Sequence, residues 1–140
     1  MLLFSGCVAA HEGVVRMTGD GAYITGIEIK DAEPSYDYAS GVVTLPSWLV
    51  GDELTFVLLH ETCHAWQNRH RAGGENWLWF EPEGVTAAAL GMSVEDAADA
   101  CALHYMGTNI VPIPADRRDS GYAVGALPHD WLLWAADVLP

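Results

Sequence analysis

Residues 57–66 read Val-Leu-Leu-His-Glu-Thr-Cys-His-Ala-Trp, a run in which His60, Glu61 and His64 have the types and spacing of a metal site. On a helix, positions four apart share a face about 6 Å apart along the axis. His60 and His64 can then aim two neutral imidazoles at one point, which suits a zinc ion. Glu61 sits about 100° round the helix from His60, near enough to reach a metal-bound water without ligating. A carboxylate there can take the proton of that water as it attacks a carbonyl. The plain alternative is two core histidines beside a surface glutamate. Burying those groups in a Leu/Val/Phe helix is costly without partners, and a metal removes the cost.

The flanking elements must position these groups. Asp52 is a good N-cap for a helix over Glu53–Arg71, stopped by Gly73 and Gly74. Leu54 and residues 56–59 make its first turns apolar nearly all round, which marks it as the central helix. Ser93 with Asp96 forms a capping-box start for a second helix through Glu95, Asp99 and Cys101 to Met106, ended by Gly107. Upstream, Ile27, Glu28, Ile29 and Lys30 alternate as a half-buried strand, and Gly41–Leu45 is a β-branched strand stopped by Pro46. Residues 8–19 alternate weakly, and Asp31–Tyr38 reads as a loop. Residues 75–92 are irregular, with a short helix over 85–90. Pro112, Pro114 and Gly121 make 108–123 a surface loop. A last helix spans Trp131–Val138.

A third ligand comes from one of two places. Glu95 and Asp99 lie four apart on one face of the second helix, among alanines that allow close approach. The pair His60-Glu61-x-x-His64 and Glu95-x-x-x-Asp99 resembles the gluzincin metallopeptidases, over residues 56–106. That resemblance implies Zn2+ held by His60, His64 and Glu95, with Glu61 as general base and Asp99 holding the His60 ring. It also implies a peptide or protein substrate and a His, Tyr or Arg beyond the ligand helix to stabilise the transition state. His129 and Tyr105 are the leading candidates for that role, with His104 and Tyr122 behind them. His70 is the rival ligand, at metzincin spacing. Those proteins need a glycine where this chain has Gln67, and on an unbroken helix His70 is ~9 Å beyond His64.

These readings combine into a single domain over 1–140, an α+β zincin-like fold. A short, mostly antiparallel sheet packs on the motif helix, with the ligand helix beneath. Gly41–Leu45 is the expected edge for an extended peptide. The rival function is a non-catalytic binding or structural domain that keeps zinc as a staple, and a metal-free helical interaction domain is a third. A net charge of −13 argues against nucleic acid partners. No apolar run approaches the ~18 residues of a membrane span. Three cysteines are too few for a disulfide framework. Cys63 and Cys101 come together if both helices line one site, and are expected to pack as small hydrophobes rather than oxidise. Leu3 to Cys7 weakly resembles the end of a lipoprotein signal without its basic start, so both cytoplasmic and exported locations stay open.

Overall fold

The computed structural model describes residues 24–69, 87–113 and 125–139. Helix α1 (Gly51–Arg69) carries His60 and His64, and every side chain from Thr55 to Gln67 along it is buried. A helix apolar on nearly all sides can satisfy itself only with neighbours on all sides. The two buried threonines return their hydroxyls to their own helix, Thr55 to Gly51 O at 3.3 Å and Thr62 to Leu58 O at 2.7 Å. The helix starts one residue before the expected cap. Gly51 takes a left-handed φ of +61°, and Asp52 and Glu53 occupy the first turn, where the helix dipole favours carboxylates. The expected stop at Gly73 and Gly74 lies outside the described residues.

Helix α2 (Val94–Met106) begins as its sequence predicts. Ser93 Oγ accepts from Asp96 N at 3.1 Å, and Asp96 Oδ2 accepts from Ser93 N at 2.9 Å. Gly107 ends it at φ +72°, donating to Leu103 O. Ala97, Ala98, Ala100 and Ala102 are each at most 1% exposed. With no bulk beyond Cβ on that face, α2 lies tightly against α1. A disulfide joins the two helices, Cys63 to Cys101, with a Cα–Cα distance of 6.1 Å. The two sulfurs are therefore bonded, not packed as free thiols. The spacing that brings them together is helical: positions 60, 63, 64 and 67 form one stripe of α1, and α2 lies along it.

Helix α3 (His129–Val138), two residues longer at its start than expected, packs on α2 through buried Trp134 and Ala135. Trp131 Nε1 donates to Leu90 O at 3.2 Å. That contact ties α3 to a single 3₁₀ turn over Ala88–Leu90, all that the described residues show of the helix expected at 85–90.

Three strands lie on the other side of α1: β1 (Gly26–Ile29), β2 (Ser35–Tyr36) and β3 (Val42–Leu45), in the order β1-β3-β2. The sheet is mixed. β1 runs parallel to β3 over four residue pairs, and β2 runs antiparallel over two, so the longer pairing is not the antiparallel one expected. The reason is the connection. Asp37–Gly41 makes a tight turn, with Asp37 Oδ1 accepting from Ala39 N and Gly41 at φ +76°, which returns β3 beside β2. The segment after β1 instead crosses to the far side of β3.

β3 is consequently the middle strand, with its backbone paired on both sides, and it offers no edge to an extended peptide. It also takes the core-facing role, through buried Val43 and Leu45, while Ile27 and Ile29 are 53% and 58% exposed. Alternation located the β1 strand but not its buried face. The segment expected as loop contains β4 (Ile110–Val111), antiparallel to β5 (Gly125–Ala126). No described helix is long and apolar enough to cross a membrane.

The disulfide closes a separation of 38 residues, worth about 4 kcal/mol of loop-closure entropy. The double variant Cys63→Ala, Cys101→Ala should melt roughly 10–15 °C lower in calorimetry.

Candidate metal centre

The polar stripe of α1 meets α2 with every member engaged. His60 Nε2 lies 2.8 Å from Glu95 Oε2, His64 Nε2 lies 3.2 Å from the same oxygen, and the two Nε2 atoms are 3.1 Å apart. On the far side of each ring stands an acceptor. Asp99 Oδ1 is 2.7 Å from His60 Nδ1, and Gln67 Oε1 is 2.8 Å from His64 Nδ1. Gln67 Nε2 donates to Val94 O at 3.3 Å, which orients the amide with its oxygen toward His64.

These outer partners decide the tautomers. Each Nδ1 keeps its proton to donate to Asp99 or Gln67, so each neutral ring turns a lone pair inward at Nε2. Two lone pairs and a carboxylate oxygen thus converge on one small volume, and mutual repulsion would part them without a positive charge between. A divalent cation fits that set: two imidazole nitrogens and one carboxylate, with the far ring nitrogens held by hydrogen bonds, as metal-ligating histidines usually are. His60, His64 and Glu95 are the group of ligand-type side chains, among the described residues, whose donor atoms all lie within 4.8 Å of one another.

Electrostatics give the same picture for the protein without a metal. Burial alone pushes the His60 pKa down, but hydrogen bonds to Asp99 and Glu95 outweigh it and hold it up at about 9. A proton on Nε2 then supplies the positive charge. Glu95 responds in kind, drawn well below the usual carboxylate range by its bonds to His60 and His64. Burial raises the pKa of Glu61, opposed by the neighbouring His60 and His64. Glu61 is 4% exposed and adjoins the cluster without joining it. The cluster opens to solvent through Glu95, whose side chain is 57% exposed against 1% for His60.

Sequence reasoning brought His60, Glu61, His64, Glu95 and Asp99 to one place: His60, His64 and Glu95 converge, Asp99 bonds the His60 ring, and Glu61 is buried next to His60 on α1. It missed Gln67, considered only where a metzincin would carry glycine. The available signal was a polar residue three past His64 on an otherwise buried helix. Tyr38, which sequence reasoning did not single out, stands on the β2–β3 turn with its ring edge-on to Tyr36 at 5.3 Å between centroids. Burial raises the pKa of Tyr38, and next in order come the charges of Glu95 and Glu61, so its phenol lies in the field of both carboxylates.

Tyr105 and His129 do not belong to the converging group. Tyr105 is ten residues past Glu95, ~15 Å along α2, and is buried with its ring against His104. His104 lines a separate open cavity of about 470 Å³ with Leu103, Thr108 and Leu132. His129 is exposed at the start of α3. His70 and Tyr122 lie outside the described residues. No protein-family model, curated protein or solved structure matches this chain.

The bound proton predicts how the metal-free protein responds to pH. His60 has its folded pKa raised from 6.5, so its contribution is complete below that value. It is lost as pH rises through about 9, a loss on the order of 3 kcal/mol. Glu95 has the opposite sign: its contribution is present above 4.5 and fades as pH falls toward its depressed folded value. Urea titrations of the metal-free protein should therefore give greatest stability between these limits and a decline from pH 7 to pH 10. A divalent cation bound there would displace the His60 proton, so metal affinity should climb over the same alkaline range.

Proposed function

We propose that the protein is a zinc-dependent hydrolase of peptide bonds, of the gluzincin type, with His60, His64 and Glu95 as ligands and Glu61 as general base. The observation that carries this reading is the inward turn of both Nε2 lone pairs onto Glu95, with Asp99 and Gln67 holding the outer nitrogens. Bound zinc would supply Lewis acidity, making a water nucleophilic at neutral pH and polarising the scissile carbonyl.

The chain's own residues supply the rest. Glu61, its basicity raised by burial, accepts the proton of the attacking water and passes it to the leaving amine. Asp99 keeps His60 in the ligating tautomer and strengthens it as a donor. Tyr38, in the field of both carboxylates, donates its phenol hydrogen to the oxyanion of the tetrahedral intermediate. A purely structural zinc would be closed off by a fourth protein ligand. The exposure of Glu95 favours a site that admits substrate instead. A disulfide buried beside the site persists where conditions are oxidising, and we infer that the protein works in such a compartment.

In zinc-loaded protein assayed on casein or a peptide library, Glu61→Gln should bind one zinc as tightly as the parent and lose kcat by at least about 100-fold. Parental turnover in that variant would sink the mechanism. Tyr38→Phe should lower kcat by about 100-fold with zinc affinity unchanged. An equal loss in zinc affinity would assign Tyr38 to the metal's surroundings and not to the transition state.

A further inference from the structure

Gln67 is 3% exposed and lies one turn beyond His64 on α1. Its amide reaches two partners on different helices. The oxygen accepts from His64 Nδ1 at 2.8 Å, and the nitrogen donates to Val94 O at 3.3 Å. Val94 directly precedes Glu95 in the first turn of α2. Its carbonyl, with two lone pairs, can serve the helix ladder and Gln67 together. One planar group therefore touches the ring of one ligand and the backbone beside another. Oxygen and nitrogen are held in that plane at a fixed angle about Cδ, so a rotation that moves one contact moves the other.

We propose that Gln67 is the positioning residue of the centre, setting the His64 ring and the height of Glu95 on α2 as a linked pair. The inference rests on the metal reading above and deepens it. Asp99, itself on α2, holds the outer nitrogen of His60 across the seam. Gln67 is the group that couples the two helices at the open end of the seam, one turn from the disulfide. A glutamine that merely satisfied a buried ring would leave the metal's ligand geometry unaffected when replaced by a group of similar shape.

Three measurements on the full chain separate these cases: zinc affinity by competition with a chromophoric chelator, visible absorption of the cobalt(II)-loaded protein, and ring-nitrogen NMR of the metal-free protein. Gln67→Leu and Gln67→Met should each weaken zinc binding about 10–100-fold and alter the cobalt bands. In both, the His64 ring nitrogens should leave the Nδ1–H pattern. Gln67→Glu keeps an acceptor oxygen toward His64 but loses the donor to Val94 O. It should restore the Nδ1–H pattern of His64 while recovering only part of the zinc affinity. Parental affinity and cobalt bands in that variant would overturn the link to Glu95. Parental affinity and cobalt bands in the Leu and Met variants, with the parent binding one zinc, would overturn the positioning role and leave the metal reading standing. A parent that takes up neither zinc nor cobalt would overturn both.

Discussion

Two imidazole lone pairs and a carboxylate oxygen, all within 3.2 Å of one another, need a positive charge between them, and the molecule is arranged around that need. The rings are not free to turn away. Asp99 and Gln67 grip their outer nitrogens, and both of these grips come from residues buried to within a few per cent. In the metal-free protein a proton on His60 meets the need in part. A divalent cation meets it with charge to spare and with lone pairs already aimed. Burial that would ordinarily expel charged groups is here what makes the electrostatic demand strong, because little water is present to relieve it.

The contact between α1 and α2 follows from the same demand. Positions 60, 63, 64 and 67 form the stripe that in most helix pairs would be leucine or valine. Here it is His, Cys, His and Gln, and α2 answers each with a specific partner: Asp99 and Glu95, Cys101, Glu95, and the Val94 carbonyl. An apolar seam could slip by a turn at modest cost. A polar one cannot, since a slip would leave Asp99, His60 and Gln67 buried without partners, at about 1–3 kcal/mol for each lost bond. The disulfide adds a covalent pin to that register. Alanines on α2 make the approach close enough for all of it, and the centre is open to solvent at Glu95.

The sheet has a smaller part in this. β3 covers α1 with Val43 and Leu45, and the turn ahead of it carries Tyr38. Being central, β3 has its hydrogen bonds committed to β1 and β2. Its contribution is to wall α1.

Much of the centre was legible before any coordinates, because helical periodicity is a local rule. Spacing of four placed His60 with His64 and Glu95 with Asp99, and the signals at Ser93, Asp96 and Gly107 bounded α2 correctly. Breakers and caps act within a few residues, so they can be read from a few residues. What pairs one helix with another is a different matter. That Glu95 bridges both rings, that Cys63 and Cys101 are bonded, and that Gln67 spans to Val94 depend on α1 and α2 meeting at one angle and one register. The sheet failed for the same reason. Alternation at residues 27–30 identified a strand but could not choose its buried face or its neighbour, because strand order is settled by the connections and by what covers each face. The sequence by itself determined which side chains share a helix face. Only the tertiary structure decided which faces meet, because that choice is made by close packing between residues far apart in the chain, 27 positions for Gln67 and Val94 and 38 for the two cysteines.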